Sequence, residues 1–293
     1  MASKTDRQKL AWQSRLILGI VLAPIAINVA WQARFWALHE ASVVLWSLGL
    51  SALLGLIAWK SRSGTPAAAA TGALLCASMM FSTFAYPYHP WQTAIVPVLA
   101  VLVLTSLATR FDRKRKERLG TAEEKRGRLS TQVCANLGFA ALACTPPMQS
   151  RFDILVISAA AASLAEAAAD TVSSEIGQVL GGRPFLLTTF RRVEPGTDGA
   201  ISVAGTLAGA LAAAIVGAVS AFALNGNSTT GCLVAIAGVF GLFFDSLLGA
   251  TVERKGWLNN DAVNFLSTAS AAAFAMIIQV GLLYWAVASG NPI

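Results

Sequence analysis

The chain has 293 residues, 55% of them hydrophobic and only 13% charged, where a soluble domain carries about 25% charged residues. With a mean hydropathy of +0.61, an ordinary soluble enzyme is excluded and a polytopic membrane protein is indicated. The net charge of +7 reads as the basic excess of one membrane side, so no nucleic-acid partner is implied.

Residues 1–15 are polar and carry Lys4, Arg7, Lys9 and Arg15, and the first predicted span covers about 16–35. A basic start before an apolar run is also the pattern of a cleaved signal peptide. Pro24 and Asn28 inside the run, with Trp31 and Trp36 as interfacial anchors, favour a retained span. The second span covers about 41–59 and ends at Lys60-Ser61-Arg62. The third covers about 66–86 and leads into the uncharged aromatic loop Tyr86 to Trp91. The fourth covers about 92–109. Arg110 to Arg128 is the only long charged run. It reads either as a solvated loop that sets topology or as a surface for anionic lipid heads or a nucleotide.

The fifth span covers about 131–145, is closed by Pro146-Pro147, and carries Gln132 and Asn136 in its first turns. The sixth covers about 154–170. The seventh covers about 201–224, with Gly205, Gly209 and Gly217 set for close helix contact. The eighth covers about 232–251 and the ninth about 261–286. Of the 22 Lys and Arg, 20 fall on alternate loops, and only Arg34 and Arg151 lie on the other side. The expected fold is therefore all-α: a polytopic transmembrane helical bundle of about nine spans, N-terminus cytoplasmic and C-terminus outside. Cys76, Cys134, Cys144 and Cys232 lie in or beside apolar runs without a CxxC pair, and each is expected to be a buried, inert thiol. His39 and His89 sit in different loops, so a His-based metal site or triad is not indicated.

Chemistry concentrates between the sixth and seventh spans. Glu166 to Thr206 gathers acids, hydroxyls, arginines and turn glycines where apolar runs meet water, and charge near a bilayer marks a site. Glu166, Asp170 and Ser174 are spaced i, i+4, i+8, which is one face if helix continues that far. Eight of the 15 acids lie at cytoplasmic ends of the last four spans: Glu166, Asp170, Glu175, Glu194, Asp198, Asp245, Glu253 and Asp261. Asn260, Asp261 and Asn264 open the ninth span. Carboxylate, amide and hydroxyl oxygens are hard ligands and suit Mg²⁺ rather than zinc. Asn260 or Asp261 also reads as a plain helix cap, and Glu253 as a solvated loop charge. Pro195, Gly196, Thr197 and Gly199 form a turn whose N–H groups can cradle phosphate. Arg183, Arg191 and Arg192 would supply positive charge beside it. No P-loop, GxSxG or HExxH sequence occurs.

Five segments carry a resemblance: Gly127 to Asn136, Ala169 to Gly177, Glu194 to Gly199, Gly241 to Thr251 and Asn259 to Asn264. In residue type, order and spacing the chain resembles, over about 66–286, the integral-membrane phytyl-phosphate kinase family. It is distantly similar to dolichol and phytol kinases and to CTP-using lipid transferases. The family's plant members phosphorylate phytyl monophosphate to the diphosphate in phytol salvage. The resemblance implies an Mg²⁺-dependent phosphotransferase with a nucleoside triphosphate, CTP, as donor and an isoprenoid (phytyl or prenyl) monophosphate as acceptor. It implies a catalytic membrane domain at 66–293 behind a two-span segment at 1–65, in one continuous membrane domain. Asp170, Glu175, Asp198, Asp245 and Asp261 are the expected metal ligands, with Asp170, Glu175 and Asp245 catalytic. Gln132, Asn136, Ser174, Arg183, Arg191, Arg192, Gly196, Thr197, Gly199, Asn260 and Asn264 are expected to bind substrate or phosphate. The prenyl tail is expected between Ala159 to Ala169 and Gly205 to Gly217. The cell (inner) membrane or an organelle equivalent is the expected location, with membrane lipids around the chain and the site on the cytoplasmic side. A CTP-dependent lipid cytidylyltransferase and a cation-coupled transporter stay open as alternatives.

Overall fold

Apolar runs in a bilayer fold as helices because each backbone N–H and C=O must be satisfied within its own segment. The structure is a computed structural model that describes residues 10–85, 87–122, 127–145 and 153–289. Lys4, Arg7, Lys9, Tyr86, residues 123–126, Pro146-Pro147 and Arg151 lie outside the described residues.

The helices run in the order α1 (Ala11–His39), α2 (Ala41–Lys60), α3 (Pro66–Thr83), α4 (Ile95–Arg110), α5 (Arg113–Leu119), α6 (Ser130–Ala143) and α7 (Asp153–Leu180). A small antiparallel hairpin follows, β1 (Phe185–Leu186) with β2 (Ala200–Ile201), in which Phe185 faces Ile201 and Leu186 faces Ala200. Then come α8 (Val203–Ala223), α9 (Ser228–Leu248) with a π-helical turn at Gly249–Glu253, and α10 (Asn260–Ser289). Short polar side chains start several helices. Thr65 accepts from Ala68 N at 3.2 Å, Ser202 from Gly205 N at 3.1 Å and Asn227 from Thr230 N at 2.9 Å. At α10 the cap is Asn259, which accepts from Ala262 N at 2.9 Å; neither Asn260 nor Asp261 takes that place.

Among the described residues, seven helices are long and apolar enough to cross a bilayer: α1, α2, α3, α7, α8, α9 with its π-helical turn, and α10. The fourth and fifth expected spans are α4 and α6, of 16 and 14 residues. At Asp112, whose φ is +39°, the chain bends by 62° from α4 into α5, and the two together have the length of a span. Helix α6 packs against α1, α3, α7 and α10. A helix enclosed by others need not match the bilayer thickness.

Helix α7 is the axis of the bundle and packs against α4, α6, α8, α9 and α10. Its alanines allow this, since Ala159 to Ala162, Ala165 and Ala167 to Ala169 are all buried. Gly205 and Gly209 of α8 bear on α7 so closely that a Cβ would stand 2.6 Å from Ser173 O and 2.7 Å from Ala169 O. The close contact expected from these glycines is present. It also overturns the expected tail site, because two helices touching through their backbones leave no space between them. Cys76, Cys134 and Cys144 are buried as expected, whereas Cys232 is exposed on α9.

The basic connections meet at one end of the bundle. Arg110 Nη2 donates to Ser61 O at 2.6 Å, and Arg128 pairs with Gly64, with Thr65 N donating to Arg128 O at 3.0 Å. Gln13 Nε2 donates to Trp257 O at 2.9 Å, and Asn259 N donates to Gln13 Oε1 at 2.8 Å. The opposite end holds aromatic contacts, with Phe84 edge-on to both Trp36 and Tyr88 and the Tyr88 hydroxyl 3.0 Å from Ser47 Oγ.

Candidate active site

At the basic end, the N-termini of α6 and α10, the C-terminal parts of α7 and α9, and the connection through the hairpin enclose a polar cleft of about 320 Å³. Helix α7 runs past the predicted end of its span, through Glu175 to Leu180. Asp170, Ser174 and Glu175 therefore lie on a rigid element, and all three line the cleft. Asp245 enters from α9, Gln132 and Asn136 from α6, and Asn260 and Asn264 from the first turns of α10. Gly196, Thr197, Asp198 and Gly199 form the remaining wall.

That wall is held by its backbone. Thr197 N donates to Glu194 O at 3.2 Å and Ala200 N to Thr197 O at 3.1 Å, closing two successive turns. Gly196 and Gly199 have φ of +84° and +70°, a region that favours glycine. A Cβ on Gly199 would collide with the Ser246 and Ala250 backbone, and one on Gly196 would stand 2.6 Å from Thr121 Cγ2. The turn is thus seated between the end of α9 and the segment that follows α5.

The acids differ in their surroundings. Asp245 Oδ2 is buried without a hydrogen-bond partner. Glu166, one helical turn deeper than Asp170 on α7, is 1% exposed, and its Oε1 is likewise unpartnered. Asp170, Glu166, Asp245 and Glu253 are close enough for Asp245 to feel the charge of the other three, and Asp170 feels Arg128. Glu175 is engaged: Lys116 Nζ donates to its Oε2 at 2.5 Å. Among the described residues, no three His, Cys, Asp or Glu side chains gather as a ready metal-ligand group.

Four expected site residues stand outside the walls. Asp261 is buried in the first turn of α10, near enough to Cys134 of α6 to interact with it electrostatically. One helical step turns it away from the face that Asn260 and Asn264 present to the cleft. Arg183, Arg191 and Arg192 are exposed on the hairpin connection, and none lines the cleft. Arg192 turns back on its own hairpin, its Nη1 donating to Arg183 O at 2.5 Å and its guanidinium 5.8 Å from the Phe185 ring centre.

Two cations of the charged run turn inward, one onto the wall of the cleft and one behind it. Arg128 lines the cleft, with Nη2 donating to Thr171 Oγ1 at 3.3 Å. Lys116 is 1% exposed, and besides Glu175 it donates to Ala108 O at 2.7 Å and Thr109 O at 3.2 Å, the last carbonyls of α4. Its charge meets the negative end of that helix. Gln178, with a buried, unpartnered Oε1, and Glu253, read above as a loop charge, also line the cleft. One signal was present in the sequence: Arg128 sits in Gly127 to Asn136, a segment that carries the resemblance. For Lys116, amid five other basic residues between 110 and 118, no signal distinguishes the one that turns inward.

Over 120 residues the chain is 43% identical to the uncharacterized membrane protein MJ0933 of Methanocaldococcus jannaschii, covering 41% of this chain and 50% of that one. Over 196 residues it is 31% identical to protein VTE6, chloroplastic, of Arabidopsis thaliana, covering 64% of this chain and 58% of that one. The chain thus spans half of the first of these relatives and 58% of the second. Over 286 residues it is 29% identical to the uncharacterized membrane protein sll0875 of Synechocystis, covering 95% and 96% of the two. No solved structure matches the chain. The family model described as integral membrane protein DUF92 matches residues 49–272, a stretch that takes in every wall of the cleft, and the chain belongs to that family.

Proposed function

We propose that this protein is an Mg²⁺-dependent integral-membrane phosphotransferase that moves a phosphoryl group from CTP to an isoprenoid monophosphate and forms the diphosphate. The observation that carries this reading is the cleft itself. Asp170 and Asp245 stand with Arg128 and a docked glycine turn at the end of an apolar bundle. The resemblance of the same segments to the phytyl-phosphate kinase family supports the substrate class.

Phosphoryl transfer asks for positioning and charge neutralisation more than for covalent chemistry. An oxygen of the acceptor phosphate attacks the γ-phosphorus, and the bond from that phosphorus to the bridging oxygen breaks, releasing CDP. The acceptor is already ionised, so no strong general base is needed. Arg128 and the N–H groups of the Gly196–Gly199 turn would bind phosphate oxygens, and Gln132 and Asn136 would orient nucleotide or acceptor.

The donor set fits Mg²⁺. Its oxygens are hard, Asp245 Oδ2 has no partner, and Mg²⁺ at phosphoryl-transfer sites is held by one or two carboxylates plus substrate phosphates rather than by a dedicated cage. Asp170 and Asp245, with Asp198 beside them, would hold it. Glu175 is taken by Lys116 and Asp261 is turned away, so both leave the ligand set. When bound, the ion neutralises charge on the phosphates.

Every cleft-lining residue falls within 66–293, the expected catalytic unit. The basic end would face the cytoplasm, where nucleotide is available. A Lys114→Cys variant in intact cells tests this, since labelling by an impermeant maleimide from outside would reverse the orientation. The activity test supplies purified protein with a prenyl monophosphate and CTP labelled at the γ- or the α-position. Label from the γ-position alone in the lipid product is expected. Transfer of the α-label with release of pyrophosphate would replace the reading with cytidylyl transfer. No labelled lipid across a panel of prenyl phosphates and nucleotides would remove both and leave the transporter alternative.

A further inference from the structure

We propose that the apolar tail of a phosphate-headed lipid enters the bundle through a crevice between α2, α3, α4 and α6, with its head in the cleft. The crevice, of about 90 Å³, is walled by Leu54, Gly72, Val101, Leu102, Val133 and Leu137 among others. Arg128 and Asn136 line both the crevice and the polar cleft. A cation and an amide at the junction of a polar and an apolar space match an amphiphile whose phosphate lies on one side and whose chain lies on the other.

The polar groups along the crevice are already satisfied. Thr105 Oγ1 donates to Val101 O at 2.8 Å, and the Ser63 and Ser106 hydroxyls lie 3.1 Å apart. Beyond Arg128 and Asn136 at the junction, what remains is an apolar wall, which offers nothing to a nucleotide or to free phosphate. The volume is several times the ~10–15 Å³ that one water needs. It therefore takes the first carbons beside the head, and the rest of a long chain continues into the bilayer. Two other places fit less well. The α7–α8 contact is closed by backbone. A wider groove of about 550 Å³ between α1, α2 and α3 shares no lining residue with the cleft.

The assignment rests on the lipid-phosphate reading above, but its test does not need turnover. The full chain in lipid nanodiscs is irradiated with a long-chain prenyl monophosphate bearing a diazirine on its head-proximal isoprene unit, and the adducts are mapped by mass spectrometry. Adducts on Leu102, Val133 or Leu137 are expected; adducts confined to α8, α9 or the outer face of α1 would overturn the assignment. Gly72→Leu then fills the crevice. A Cβ at Gly72 meets only Val133 Cγ1, at 3.8 Å, and replacing glycine inside a helix favours the helix. The variant should lower adduct yield and raise KM for the long-chain acceptor about tenfold, the size of a change of a methylene or so in an apolar pocket. KM for the nucleotide should not move. Gly49→Leu, on the exposed face of α2 where an added Cβ meets nothing within 4 Å, makes the same replacement away from the crevice and should label like the parent. Unchanged labelling in a folded Gly72→Leu protein would sink the crevice as the tail site. Expected adducts without phosphoryl transfer would remove the kinase reading and keep the tail site. Transfer with adducts elsewhere would do the reverse.

Discussion

Two basic segments of this protein behave in opposite ways. The run from Arg110 to Arg128 reads either as a topology-setting loop or as a surface for anionic lipid heads or a nucleotide, and the connection carrying Arg183, Arg191 and Arg192 as a phosphate cradle. In the structure the first sends Lys116 and Arg128 inward, while the second keeps its arginines outside and lends the cleft only a backbone turn. The difference lies in anchoring. A cation goes inward only where enough oxygens meet it, as three do for Lys116, or where its backbone is pinned at the wall. Arg128 is pinned in that way by pairing with Gly64. The hairpin is anchored instead by Gly199 against α9 and the π-helical turn, which leaves its arginines free to turn outward.

The largest effect expected from breaking this contrast is at Lys116. Removing one member of a buried ion pair costs about 3–5 kcal/mol, so Lys116→Met should lower the midpoint of unfolding in detergent sharply. Adding Glu175→Gln should recover much of the loss. A single variant that unfolds like the parent would show that the pair does not hold α5 to α7.

Next come the acids that the inward cations face. Asp245→Asn should fold normally and lose roughly 10²–10³ in kcat, the usual cost of one electrostatic contact in a preorganised site. Asp170→Asn should follow it, and both losses should be read across an Mg²⁺ titration. Near-parental rates at limiting Mg²⁺ would take these carboxylates out of the ligand set.

Arg128→Lys comes third. A guanidinium makes two parallel bonds to phosphate and an ammonium does not. One lost charge-assisted hydrogen bond, worth about 1.5–3 kcal/mol, corresponds to roughly a ten- to hundredfold fall in kcat/KM. The smallest effect belongs to the outer segment: Arg192→Lys should stay within about twofold of the parent, as exposed charges usually do. Initial rates against nucleotide and lipid phosphate measure both variants. A large loss at Arg192 with none at Arg128 would invert the comparison and return the phosphate role to the hairpin.

The sequence by itself determined the helical architecture, because a bilayer makes the rule local: each apolar run must satisfy its own backbone. It also placed Glu166, Asp170 and Ser174 on one face, since that follows from helical periodicity once α7 continues through them. The close approach of Gly205 and Gly209 to α7 was legible too, because a missing side chain is itself the signal. Tertiary structure alone decided the rest. Helices α4 and α6 are short because neighbours, not lipid, surround α6 and a bend redirects α4 into α5. Which cations turn inward depends on contacts between residues far apart in the chain, 116 with 175 and 64 with 128. Asp261 and Asn260 are adjacent in sequence, yet one is turned toward α6 and the other toward the cleft. Charge and spacing specify what a residue can do; which groups surround it depends on long-range packing that no local pattern encodes.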